Sequence, residues 1–237
     1  SFLFNAQLLG HQQIVINAIE KKDLGIIVAP PGSGKTIVGL KIIADKKQPA
    51  LIITHRKQIA DQWIERIETF LGIPKNEIGK IGQGKTKIGK QITVAMIQSL
   101  SKELEKPDTG KILNAFGTII VDECHHIPAE TFRNAISKLQ TFYLYGLTAT
   151  PFRKYNDSKL IFIHLGEVIA EIKSNEISTS KRPKIIIRNT ELDVPFNSKT
   201  DKFETLSKIL VHDSSRNKSI LGDVINELQS DKKVVII

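Results

Sequence analysis

Two short stretches of this sequence carry residue types suited to chemistry on phosphate. The first is Ala29-Pro30-Pro31-Gly32-Ser33-Gly34-Lys35-Thr36, preceded by the apolar run Gly25-Ile26-Ile27-Val28 and followed by Ile37-Val38-Gly39-Leu40-Lys41-Ile42-Ile43-Ala44. Strand, small-residue loop, Lys-Thr and helix together cradle a nucleoside triphosphate, because consecutive backbone N–H groups and the helix N-terminus face the phosphates. Pro31, Gly32, Ser33 and Gly34 would line that cradle. Lys35 would reach the β- and γ-phosphates and the Thr36 hydroxyl would ligate Mg²⁺. The second stretch is Asp122-Glu123-Cys124-His125-His126, at the end of the apolar run Thr118-Ile119-Ile120-Val121. Two carboxylates leaving the carboxyl end of a buried strand sit where open α/β sheets bind ligands. Asp122 would hold Mg²⁺ through a water. Glu123 would orient and deprotonate the water that attacks the γ-phosphate.

A rival phosphate loop must be weighed. Gly79-Lys80-Ile81-Gly82-Gln83-Gly84-Lys85-Thr86 matches the strict pattern in every letter, whereas the first stretch has Ala29 in place of glycine. Context decides between them. Ile73–Ile78, ahead of Gly79, does not read as a buried strand, and Gln91-Ile92-Thr93-Val94-Ala95 reads as a strand with no helix before it. A phosphate held at residues 84–86 would lack the helix N-terminus that the chemistry requires. Residues 79–90 carry four lysines, four glycines and no acid, and they read as a basic hairpin or turn.

Other elements must position these residues. Ala50-Leu51-Ile52-Ile53-Thr54 is apolar throughout, as in a parallel strand covered on both faces. His55, Arg56 and Lys57 follow it at the mouth of a helix, where basic side chains and backbone amides can hold a phosphodiester. Ile59, Trp63, Ile64, Ile67 and Leu71 share one face of that helix, with Trp63 read as core packing. Ahead of the first strand, apolar residues 14, 15, 18 and 19 mark a helix preceded by Gln12, whose amide could accept from and donate to an adenine edge. Phe142–Leu147 is a further strand ending at Thr148-Ala149-Thr150-Pro151, with two hydroxyls that could bond to the acidic centre. Strands alternating with helices predict an α/β fold with a mostly parallel sheet.

Composition limits the classes available. The chain has 237 residues, 34 Lys and Arg against 25 Asp and Glu, and a net charge of +9, which suits a polyanionic partner. No apolar run approaches the roughly twenty residues of a membrane span, so no membrane partner is expected. One cysteine, Cys124, excludes an internal disulfide and favours a reducing, cytoplasmic setting. A structural zinc site at residues 124–126 is disfavoured, because it needs four ligands and the chain has a single cysteine.

The pattern changes after residue 151. Residues 1–175 form the expected first domain, 176–183 a polar linker, and 184–237 the incomplete start of a second α/β domain. That start would hold strands at 184–188 and 233–237 and helices near 201–211 and 216–229.

In order and spacing, five stretches resemble the DExH-box helicases of superfamily two, closest to the bacterial DNA or RNA helicase group. That group is itself similar to the xeroderma pigmentosum B type and to restriction-enzyme motor subunits. The stretches are Leu8–Gln12, Ala29–Thr36, Ile53–Lys57 with Gln62-Trp63, Val121–His125 and Gly146–Pro151. The resemblance implies a P-loop, RecA-like motor domain that binds ATP and Mg²⁺ and grips a nucleic acid, with DNA expected ahead of RNA. Gln12 would match the adenine-reading glutamine. Lys35 and Thr36 would match the phosphate loop, and Asp122 and Glu123 the metal and water centre. His125 would link that centre to the next motif, and Thr148 and Thr150 would couple hydrolysis to movement. Leu9 departs from the family's usual arginine, and Met96 from a strand-contacting threonine. The family's second RecA-like domain supplies an arginine finger, so this fragment is expected to bind ATP and hydrolyse it weakly. Two other readings compete: a nucleotide-gated nucleic-acid switch without processive movement, and a small-molecule P-loop kinase. Thr148-Ala149-Thr150 and the Asp-Glu-Cys-His pattern speak against the kinase.

Overall fold

The computed structural model describes residues 2–108, 113–126, 130–150, 158–173, 186–187, 203–230 and 234. The chain divides into two units, Ser1–Thr179 and Ser180–Ile237. The expected linker at 176–183 lies outside the described residues, as do the expected strand at 184–188 apart from two positions and that at 233–237 apart from one.

In the first unit the elements run α1 (Gly10–Ile19), β1 (Leu24–Val28), α2 (Lys35–Lys46), β2 (Ala50–Thr54), α3 (Lys57–Leu71), β3 (Gly79–Gly82) and β4 (Lys85–Lys87). They continue with β5 (Ile92–Met96), α4 (Ile97–Glu103), β6 (Thr118–Asp122), a 3₁₀ turn (Cys124–His126), α5 (Glu130–Lys138), β7 (Tyr143–Thr148), α6 (Ser158–Leu165) and β8 (Val168–Glu171). The strands form one sheet in the order β4-β3-β5-β2-β6-β7-β1-β8, parallel except for the β3–β4 hairpin. This is the α/β architecture that the alternating pattern predicts.

Burial on both faces explains why the central strands are apolar at consecutive positions. Ile27, Ile52, Val94, Ile120 and Leu147 enter one core with residues of α1, α2 and α3. Ile26, Leu51, Ile53, Ala95, Ile119 and Val121 enter a second core on the opposite face with residues of α4, α5 and α6. Asp122 is two residues beyond Ile120, so the period of two along a strand turns it toward the core that contains α2 and α3.

The strict-pattern decoy is a hairpin. Gly79–Gly82 pairs with β5 on one side and with β4 on the other, the turn is made by Gln83 and Gly84 at positive φ, and Lys85, Thr86 and Lys87 are exposed on an edge strand. No helix follows Thr86, so residues 84–86 cannot present a helix N-terminus to a phosphate.

The second unit shows α7 (Phe203–His212) and α8 (Ser214–Gln229). Asp213 caps α8 by accepting from Arg216 N at 3.0 Å, a helix-start contact of the usual kind. Among the described residues no helix is long and apolar enough to cross a membrane.

Candidate nucleotide and nucleic-acid site

Because β1, β7, β6, β2 and β5 are parallel, their carboxyl ends share one rim. That rim collects Ala29–Thr36 after β1, His55–Lys57 after β2, Asp122–His126 at and after β6, and Thr148–Thr150 at the end of β7.

The phosphate loop is braced from within and from α1. Gly34, the N-cap of α2, has φ +81°, a left-handed conformation that glycine adopts without a Cβ penalty. Ser33 Oγ donates to Pro30 O at 2.7 Å. Gln12, only 4% exposed, donates through Nε2 to Ser33 O at 3.0 Å and accepts from Leu9 N at 3.0 Å. His11 Nε2 lies 3.1 Å from the same carbonyl, so that nitrogen carries the proton. The glutamine expected to read adenine braces the loop in this structure. His11 was missed as a second brace, because its partner lies 22 residues away along the chain. Lys35 donates to Ala29 O at 3.2 Å and stands 3.7 Å from Glu123 Oε1. Thr36 is half-buried on the first turn of α2, while Pro31 and Gly32 are exposed.

Asp122 is held by both of its oxygens. Trp63 Nε1 donates to Oδ2 at 2.7 Å, and the backbone N–H of Glu123 donates to Oδ1 at 2.9 Å. Burial holds the Asp122 carboxyl above the usual carboxylate range and the neighbouring Glu123 adds to this, while the Trp63 donor, the Glu123 N–H and Lys35 oppose it. Reading Trp63 as core packing alone is therefore corrected: the ring is buried, and its one polar atom bonds to a site carboxylate. Glu123 has φ +50°, uncommon for a residue with a Cβ and an arrangement that clusters at functional sites.

His125 joins two strand ends. Its Nδ1 lies 3.0 Å from Thr148 Oγ1, and that hydroxyl already donates to Thr150 O at 3.2 Å while accepting from Thr150 N. A hydroxyl has one hydrogen to give, so the proton shared with the ring sits on Nδ1. Glu123 Oε2 lies 3.2 Å from that nitrogen. The N–H is directed at Thr148, which leaves Oε2 a buried acceptor without a hydrogen bond among the described residues. His126, set aside with the zinc reading, has its ring between those of His55 and His125, 4.2 Å from each centroid. Burial, then Arg56, and more weakly His125 push the His55 ring below its ordinary value, against the pull of Glu123. Arg56 and Lys57 are exposed. Burial raises the Cys124 thiol, aided by Glu123 and Asp122, which makes it a packing residue and no nucleophile.

The family described as "Type III restriction enzyme, res subunit" matches residues 5–153. The DNA 3'-5' translocase XPB2 of Sulfurisphaera tokodaii is 31% identical over 204 residues, 86% of this chain and 44% of that protein. The DNA 3'-5' helicase XPB of Mycobacterium tuberculosis is 29% identical over 167 residues, 68% of this chain and 29% of that protein. The chain spans about a quarter to a half of the length of the curated relatives it matches. Among solved structures, the UvsW helicase from bacteriophage T4 superposes with a TM-score of 0.58 at 19% identity, covering 71% of this chain and 63% of that one. The Sulfolobus solfataricus SWI2/SNF2 ATPase core in complex with dsDNA superposes with a TM-score of 0.55 at 19% identity, covering 69% and 36%. The chain belongs to the restriction-enzyme res-subunit family, and its first unit has the fold of the helicase structures on which it superposes.

Proposed function

We propose that this chain binds ATP with Mg²⁺ and couples hydrolysis to translocation along DNA or to its unwinding. Lys35 and Glu123 carry the assignment: a cation and a carboxylate from two different strand ends stand 3.7 Å apart. A cation for the phosphates, a carboxylate for the attacking water and a link to a further strand end are parts that phosphoryl transfer uses. The residues present fit a bound Mg²⁺-nucleotide. Glu123 Oε2 is a buried acceptor without a hydrogen bond among the described residues, and a Cβ added at Gly32 would meet nothing within 4 Å.

When bound, Mg²⁺ would neutralise charge on the β- and γ-phosphates. Around it, the backbone N–H groups of Pro31–Lys35, proline excepted, would face phosphate oxygens. Lys35 would exchange Ala29 O for phosphate, Thr36 and Asp122 would hold the metal, and Glu123 would take the proton of the attacking water. Gln12 keeps one carboxamide hydrogen for the adenine while the other holds Ser33 O. His125 would pass a change at Glu123 to Thr148 and Thr150, and His55, Arg56 and Lys57 would hold a phosphodiester. DNA is supported by the names of the relatives, by the double-stranded DNA in one structural neighbour and by the charge of +9. An arginine finger from a second RecA-like domain would complete the site, and such fingers contribute on the order of 10³–10⁵ in rate.

The test is DNA-stimulated ATP hydrolysis by the natural protein that carries this chain. Lys35→Ala should lower turnover by on the order of 10²–10³, and unchanged turnover would refute the assignment. Triplex displacement separates a translocating motor from a nucleotide-gated switch, which displaces nothing.

A further inference from the structure

We propose that Trp63 is a positioning residue for the metal site: its indole N–H fixes the Asp122 carboxylate in the orientation that receives Mg²⁺. This rests on the proposed function, in which Asp122 is the metal-holding carboxylate.

Three observations combine. First, the bond from Trp63 Nε1 to Asp122 Oδ2 is 2.7 Å long and buried, with Trp63 1% and Asp122 7% exposed. Hydrogen bonds to an ionised acceptor are short and strong, and burial removes the competing water. Second, the other oxygen is fixed independently by the Glu123 N–H at 2.9 Å. With one donor on each oxygen, the carboxylate cannot turn about its own bond without breaking a contact. Third, the indole cannot follow a turning carboxylate. A Cβ built at Gly39 on α2 would lie 2.6 Å from Trp63 Cη2, so the ring edge occupies the space that a side chain on α2 would fill. The donor is therefore wedged between α3, which bears it, and α2, which begins at Lys35.

Packing alone does not require the nitrogen: a sulfur-containing bicyclic isostere would fill the same apolar space. What the N–H adds is a donor to Asp122 Oδ2, the oxygen that the Glu123 N–H does not hold. Outer partners of this kind orient metal ligands, and their loss costs about 10- to 100-fold in metal affinity.

The experiment uses the 237-residue chain and equilibrium binding of a fluorescent ADP analogue, read by fluorescence with Mg²⁺ removed by chelator and then titrated in. Trp63→Phe removes the donor and part of the ring. Replacement of Trp63 by benzothienylalanine removes only the N–H and keeps the bicyclic shape, which guards against a variant that simply fails to fold. Both variants should match the wild type without Mg²⁺ and need about tenfold more Mg²⁺ for half-maximal enhancement. An unchanged Mg²⁺ requirement in the benzothienyl variant would overturn the inference, as would an equal loss of binding with and without Mg²⁺. If the wild type itself shows no Mg²⁺-dependent binding, the proposed nucleotide site falls and the inference with it.

Discussion

Replacing Gly34 by alanine asks how the phosphate loop keeps its shape. Gly34 stands at φ +81° where the loop becomes α2. An L-residue held in that left-handed conformation costs roughly 1–2 kcal/mol. The added methyl group would also lie 2.3 Å from Gln12 Nε2, so the carboxamide must move. Its 3.0 Å bond to Ser33 O is then lost, at a net cost of about 1 kcal/mol. The two costs together predict a loss of roughly 2–3 kcal/mol for Gly34→Ala in urea unfolding. The costs can be separated by repeating the substitution in a Gln12→Ala background, where the methyl has nothing to displace and only the backbone cost remains. The double-mutant cycle should give a coupling of about 1 kcal/mol. Additive effects, or a total loss for Gly34→Ala below roughly 1 kcal/mol, would refute the brace and with it the account of why Gln12 is buried.

Further outcomes follow from the same rim. The fold favours neutral His55, so its contribution to stability is complete above the ordinary value of 6.5 and is lost as pH falls below that value. Melting of the chain at about pH 7.5 and about pH 5.5 should show an acid-induced drop that is smaller in His55→Gln, and equal drops in both would refute it. At Gly146, a Cβ would lie 2.4 Å from Leu165 Cδ1 and 2.8 Å from Cys124 Sγ. Gly146→Ala should therefore cost about 1–3 kcal/mol by overpacking, read in urea unfolding, and unchanged stability would show that the second core can yield there.

The parts of the site that lie within one strand-loop-helix unit were legible in the residues themselves. Ala29–Thr36 was preferred to a better-matching decoy because a strand precedes it and a helix follows it, and the structure places both elements there. Asp122 and Glu123 were legible because an apolar run ends in two acids. Contacts between elements distant in sequence left no such trace. The spacing of Ile59, Trp63 and Ile67 shows that Trp63 is buried, yet its acceptor sits on a strand 59 residues further on. His126 gave only a doubtful metal signal, since its place between the His55 and His125 rings depends on β2 and β6 being neighbours. Residues 79–90 were read as a hairpin or turn, and β3 and β4 form that hairpin; the pairing of β3 with β5 was not legible, because four residues with two glycines carry little strand signal of their own.

The place of β1 in the sheet has a consequence for how the protein is made. β1 lies between β7 and β8, with Leu24 opposite Leu144 and Val28 opposite Thr148, and Ala29 N donates to Thr148 O at 2.8 Å. During synthesis the phosphate loop leaves the ribosome long before either flanking strand has been translated. Until then β1 is an apolar segment with two open edges, the kind of segment that invites misassembly or a chaperone. If the proposed ATP site is correct, capture of nascent chains on immobilised ATP would sort them by length, retaining only those in which Thr148 has already emerged.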